Sequence, residues 1–80
     1  MERNEVFKEV REVFYDVFGN LDIEITDETT SDDIEAWDSL SHVQLAESIQ
    51  EKFGIKFTAY EISSWIDVGE LVDCIQSKQK

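Results

Sequence analysis

A carboxylate, a hydroxyl and an aliphatic side chain stand in succession at Asp38-Ser39-Leu40, at the head of a run with helical spacing. Asp38 can cap that helix by accepting a hydrogen bond from a free backbone N–H of the first turn. Ser39 then falls in the first turn, with its hydroxyl beside the positive end of the helix dipole. A phosphate is favoured at such a place, because N–H groups and dipole both meet its negative charge. The plainer reading of the three residues is an ordinary helix start, since Asp and Ser are common caps. His42 opens another chemistry: it follows Ser39 by three residues, so the two side chains could meet as a hydrolase-like pair. Around Ser39, however, there is neither a strand–turn–helix elbow nor a Gly-rich oxyanion loop. No catalytic residue is therefore assigned, the chain is not read as an enzyme, and His42 reads as a polar-face residue.

Metal and thiol chemistry fare no better. Counting from Asp27, positions one, three, five and twelve of a calcium loop would be Asp27, Thr29, Ser31 and Asp38, with Ile34 at eight. Position six is Asp32, where the sharp turn of an EF-hand needs Gly, and position twelve is Asp rather than Glu. No metal ligand is assigned. Cys74 is the single cysteine, which excludes an internal disulfide and a multi-cysteine metal site. It falls beside the apolar stripe of the last helix and reads as a small flanking residue.

The elements that position Asp38 and Ser39 follow from periodicity. A first helix is expected from Glu2 to Phe18, with Val6, Val10, Val13, Phe14 and Val17 at helical spacing and Phe7 and Phe18 widening the stripe. Gly19 is expected to end it in the left-handed conformation. From Asn20 to Trp37 the periodicity is lost. Leu21-Asp22-Ile23-Glu24-Ile25 alternates as a strand would, but only Ile55-Lys56-Phe57 offers a partner, and two such pieces make a poor sheet. An extended loop is expected instead, pinned by its aliphatic side chains and by Ile34 and Trp37. Loops of this length are uncommon in small domains and usually functional.

The second helix is expected from Ser39 to Phe53, ended by Gly54. Its inward stripe reads as Leu40, Val43, Ala46, Ile49 and Phe53 with Leu45 at the edge, and Ser41, His42, Gln44, Glu47, Ser48 and Glu51 read as the outer face. Thr58 and Glu61 have capping-box spacing for a short third helix presenting Ile62 and Trp65. Asp67 and Glu70 repeat that spacing for a last helix with Val68, Leu71, Val72 and Ile75 inward and Lys78 near its C-terminus. The fold class is all-α: three main helices and a short third one in a small antiparallel bundle, as one domain over residues 1–80.

Composition limits the partners. A formal net charge of −12 on 80 residues argues against nucleic acid and anionic membrane, and for basic protein surfaces. A domain this small buries only about 60% of the surface its unfolded chain exposes, which leaves little room for a deep catalytic cleft. With 41% apolar and 11% aromatic residues the chain can still fold. The charged start lacks an apolar h-region and no run approaches a membrane span, so a cytoplasmic monomer is expected.

The whole run DSLSHVQLAESIQEKFGIKF, from Asp38 to Phe57 behind a long acidic loop, resembles the acyl carrier protein family. The resemblance covers nearly the whole chain and needs no gap after Ser39. It implies that Ser39 is the attachment point of 4′-phosphopantetheine, joined as a phosphodiester. It implies that Asp38 and Leu40 are contacts for the phosphopantetheinyl transferase, and that the second helix, with Glu47 and Glu51, docks acyl-transfer or acyl-activating enzymes through basic surfaces. Such a carrier serves fatty-acid, polyketide or related biosynthesis. In well-known fatty-acid carriers the positions matching Ser41 and Gln44 are usually acidic, and here both are neutral. The Gly-Gly-x-Ser pattern of peptidyl carriers is missing, so an aminoacyl cargo stands as an alternative; a cofactor-free acidic module that binds basic proteins is another.

The resemblance also implies a cargo slot between the second helix and the third and fourth. Aligned without gaps from Ser39, its lining is Ile49, Phe53, Phe57, Ile62, Trp65 and Leu71, of which Ile62, Trp65 and Leu71 are bulky for those places. Forcing methylenes into a filled core costs about 1–3 kcal/mol, whereas burying each returns only about 0.8 kcal/mol. A short or polar cargo is expected.

Overall fold

The computed structural model describes residues 2–19 and 24–79, and among these the secondary structure is helical, with no strand. Helix α1 spans Arg3–Phe18, α2 Ser39–Phe53, α3 Ala59–Ser64 and α4 Val68–Lys78. Three of the four starts carry the cap the sequence announces, at Asp38, Thr58 and Asp67. Asp38 and Thr58 each share a reciprocal capping box with the residue three places on, whereas at α1 Glu5 Oε1 accepts from the Glu2 N–H and the Glu5 N–H donates to Glu2 O. At α4 the Asp67 side chain accepts from the Glu70 N–H, while Glu70 Oε1 accepts from the Ile66 N–H rather than from Asp67.

Helix α1 is the element the others pack against, with α2 and α4 both in contact with it. Val6, Val10, Val13 and Phe14 are buried along its expected stripe, and Val68, Leu71, Val72 and Ile75 are buried along that of α4. Gly54 ends α2 with left-handed angles, φ 66° and ψ 37°. Gly19 departs from its expectation: φ is 78° but ψ is −155°, a glycine-permissive extended turn rather than the left-handed helix region.

The expected stripe of α2 is corrected. Leu45, Ala46 and Ile49 are its buried residues, while Leu40 is 72% and Val43 47% exposed. The reason is angular. A helix turns about 100° per residue, so a ladder of three-residue steps lags about 60° each time, and Leu40 ends about 180° from Ile49. By the same arithmetic His42 falls within about 20° of Ile49, on the inner side.

The first part of the expected loop, residues 20–23, lies outside the described residues. From Glu24 onward the chain is an irregular segment pinned by buried Ile25, Ile34 and Trp37. Its middle is stitched to α4 and not to Ile55–Phe57. The Val68 N–H donates to Thr29 O at 3.0 Å and the Gly69 N–H to Asp27 O at 2.9 Å, so loop carbonyls take up first-turn donors that a helix leaves unsatisfied. Thr30 forms an isolated antiparallel bridge with Asp67 alongside. Arg3 reaches across the same seam, pairing with Asp27 at 2.9 Å and Asp73 at 3.0 Å and donating to Gly69 O at 3.3 Å. Asp27 and Thr29 of the rejected calcium loop are thus structural: Asp27 serves Arg3, and buried Thr29 accepts through Oγ1 from the Thr26 N–H at 2.8 Å.

Candidate functional site

The start of α2 is held by a small polar device. Asp38, in extended conformation, accepts through Oδ1 from the Ser41 N–H at 2.9 Å, and Ser41 Oγ accepts from the Asp38 N–H at 2.8 Å. The Ser41 hydroxyl in turn donates to Ala36 O at 2.8 Å, fastening the helix to the incoming loop. The N–H of Ser41, then its hydroxyl, hold the Asp38 carboxyl below the usual carboxylate range. Ser41 therefore belongs to the cap and not simply to the outer face. The Asp-x-x-Ser spacing carried that signal, with Ser standing where Glu or Gln is more familiar.

Ser39 follows the cap in the first turn and is exposed. Its hydroxyl makes no hydrogen bond within the described residues, so it is free to be esterified. Beside it opens a cleft of about 230 Å³ lined by Ser31, Trp37, Asp38, Ser39, His42, Trp65 and Ile66. An exposed hydroxyl at the positive end of a capped fifteen-residue helix fits a phosphodiester-linked group.

His42 is not a polar-face residue. Its Nδ1 accepts from the Trp37 indole N–H at 2.9 Å, which fixes that nitrogen as unprotonated because indole can only donate. Nε2 therefore carries the proton and donates to Ile62 O at 2.6 Å. The ring lies nearly parallel to Trp37, within 18° and side by side with centres 5.9 Å apart, and meets Trp65 edge-on at 5.7 Å. With both nitrogens committed elsewhere, His42 cannot serve Ser39 as a base, and the hydrolase pairing is absent from the geometry.

The remaining candidates distribute along α2. Leu40, Glu47 and Glu51 are exposed, and with Val43 they share the side opposite Ile49. Lys52 turns away from them to pair with Glu9 at 3.0 Å and Glu12 at 3.5 Å on α1. Lys78, at the end of α4, pairs with Glu61 at 2.9 Å and lies 5.8 Å from the centre of the Phe57 ring. Cys74 is half-buried with its thiol 3.8 Å from Glu61 Oε2, and burial pushes that thiol up, which disfavours a reactive thiolate. Among the described residues no group of three or more His, Cys, Asp or Glu side chains converges as a metal site. No described helix is long and apolar enough to cross a membrane.

Comparison with known proteins bears on the same residues. Residues 8–75 match the family model described as "Phosphopantetheine attachment site". The chain is 36% identical over 75 residues to the acyl carrier proteins of Streptococcus pyogenes serotypes M3 and M1, covering 94% of this chain and 97% of each relative. The solution structure of holo acyl carrier protein from Geobacter metallireducens superposes with a TM-score of 0.85 at 36% identity, over 92% of this chain and 85% of that one.

Proposed function

The chain belongs to the acyl carrier protein family, and on that premise we propose that Ser39 is the residue that bears the 4′-phosphopantetheine arm. The protein carries acyl groups on phosphopantetheine; the arm, when attached, supplies the thiol that holds them as thioesters. The single observation that carries the assignment is the exposed, unpaired Ser39 hydroxyl in the first turn of α2, directly behind the Asp38 cap. The fold contributes display and orientation, not catalysis.

Acyl carriers meet phosphopantetheinyl transferases and acyl-transfer enzymes. For this chain the docking face is the outward side of α2, where Leu40 and Val43 stand beside Glu47 and Glu51. A partner with an apolar recess rimmed by Lys and Arg matches that face. Long-range attraction to a carrier of net charge −12 raises the on-rate while leaving affinity modest. Asp38 and Leu40 flank Ser39 and contact the transferase. The carrier acts as a cytoplasmic monomer of one domain, in fatty-acid, polyketide or related biosynthesis.

The assignment is tested by intact mass after incubation with a phosphopantetheinyl transferase and coenzyme A. Wild type gains one pantetheinyl mass and Ser39→Ala gains none while keeping its helical spectrum. A Ser39→Ala variant that still takes the arm would sink the assignment.

A further inference from the structure

Helix α3 is held to the bundle in an unusual manner, since none of its six residues is buried. What fastens it is half-buried Ile62 packed against the core, a set of polar clips and the ring that follows it. His42 of α2 donates to Ile62 O, Lys78 of α4 pairs with Glu61, and Gln50 Oε1 accepts from the Phe57 N–H at 2.7 Å just ahead of α3. Trp65, immediately after it, is 9% exposed and packs edge-on against Phe57 at 4.7 Å. An element with so little buried surface opens at low free energy unless something local closes it.

The clip nearest Ser39 is His42, and it works in two directions. Through Nδ1 it is anchored by Trp37, itself wedged edge-on against Phe14 at 5.2 Å; through Nε2 it grips α3. Trp37, His42 and Trp65 line the cleft beside Ser39 in series, and Ile49 and Leu71, both fully buried, belong to the core they shield. The Trp65 indole N–H is buried with no oxygen or nitrogen partner and has only the weakly accepting Cys74 thiol to meet it. Closure thus leaves a donor poorly satisfied, a cost that favours opening once the clip is lost.

Resting on the reading that Ser39 bears the arm, we infer that His42 is a positioning residue: its bridge from Trp37 to Ile62 O latches α3 over the core, so the carrier holds short or polar acyl groups outside the bundle. The cleft left beside Ser39, about 230 Å³, is smaller than the roughly 300–1,000 Å³ of ordinary ligand pockets, and the Ser31 hydroxyl and Asp38 carboxylate make part of its lining polar.

The test loads wild type, His42→Ala, His42→Gln and Trp65→Leu with acetyl- and octanoyl-pantetheine arms and compares their amide spectra. In wild type the octanoyl-minus-acetyl differences stay confined to the neighbours of Ser39. In His42→Ala they spread to Ile49, Ile62 and Leu71, and exchange of the Ile62–Trp65 amides quickens about tenfold, as expected for loss of one hydrogen bond. His42→Gln, whose amide can both accept from Trp37 and donate to Ile62 O, restores the wild-type pattern. A dependence on cargo length separates a latch from a residue that merely supports the fold. If His42→Ala does not fold, Trp65→Leu removes the wall while leaving the clip, and the same octanoyl-specific spread is expected. Octanoyl-specific shifts at Ile49 and Leu71 in wild type would overturn the latch, as would their absence from folded His42→Ala or, where that variant does not fold, from Trp65→Leu. Wild type that never gains the mass of the arm would instead remove the attachment reading, and the latch with it.

Discussion

Asp38 and Ser41 cap one another across the first turn of α2, side chain to backbone in both directions, at 2.9 and 2.8 Å. The Ser41 N–H, chiefly, holds the Asp38 carboxyl low, so the ionised form stabilises the fold. A carboxyl lowered on folding contributes stability that is present above its unfolded value, about 3.9, and lost as pH falls through the lowered folded value. Asp38→Ala should therefore melt roughly 4–8 °C below wild type at neutral pH, the size expected for one lost cap in a domain this small. That gap should narrow as pH is taken below the ordinary carboxylate range. Melting curves across that window check it; a gap independent of pH would show that the cap acts without its charge.

Leu45 and Leu40, five residues apart on one helix, should behave oppositely. Leu45 is fully buried, so Leu45→Ala should cost about 2–5 kcal/mol in a denaturant titration. Leu40 is 72% exposed, and Leu40→Ala should change stability by less than about 0.5 kcal/mol. The same Leu40 variant should slow arm attachment by the transferase, visible as a lower initial rate at subsaturating carrier. An unchanged rate would remove Leu40 from the docking face.

Charge should matter to the fold as a whole. Nineteen acidic residues face seven basic ones, and the ion pairs among the described residues engage Arg3, Lys52 and Lys78. The pairs of Arg3 are well exposed and contribute little, and only Lys78–Glu61 is largely covered, so screening should relieve more repulsion than it costs in attraction. The melting temperature should rise with sodium chloride and rise further with millimolar magnesium. A melting temperature that falls with salt would mean that the pairs outweigh the repulsion.

Gly69→Ala should destabilise, against the usual trend. Alanine at a helix interior is normally favoured over glycine by about 1 kcal/mol. Here a Cβ on Gly69 would stand 3.0 Å from Asp27 O and 3.2 Å from Asp27 Cβ, where the loop crosses α4. The Asp27 carbonyl must give by a few tenths of an ångström to admit it, and because that carbonyl is held by the Gly69 N–H itself at 2.9 Å, the melting temperature should drop. A rise would show that the seam yields without strain.

Much of this was legible in the sequence, and the misses have a common cause. The bounds of α2, α3 and α4 follow from Asp38, Thr58, Asp67 and Gly54, because caps and stops are local chemistry. The faces of α2 were harder. Leu40 and Val43 look inward when apolar residues are counted in threes, and only the angular drift shows that His42 takes their place on the inner side. Polarity then misleads about His42, whose imidazole is satisfied by two partners that no local pattern announces: Trp37, from the loop, and the backbone of Ile62 on another helix. The loop's attachment to α4 was equally hidden, since Val68 and Gly69 donate to the carbonyls of Thr29 and Asp27, and main-chain pairing leaves little trace in residue type.

On the proposed reading of Ser39 and of the outward side of α2, an attachment hydroxyl on the first turn of a capped helix, exposed and beside the proposed docking side chains, also sets a concentration. With the arm on Ser39, a partner that touches Leu40 and its neighbours meets a thioester whose far end is confined to the volume the arm can sweep. Delivery becomes an intramolecular event, with a local thioester concentration in the millimolar range typical of short flexible tethers. An enzyme working on this carrier can release it quickly and still find its substrate within reach, which suits a cargo that must visit several active sites in turn.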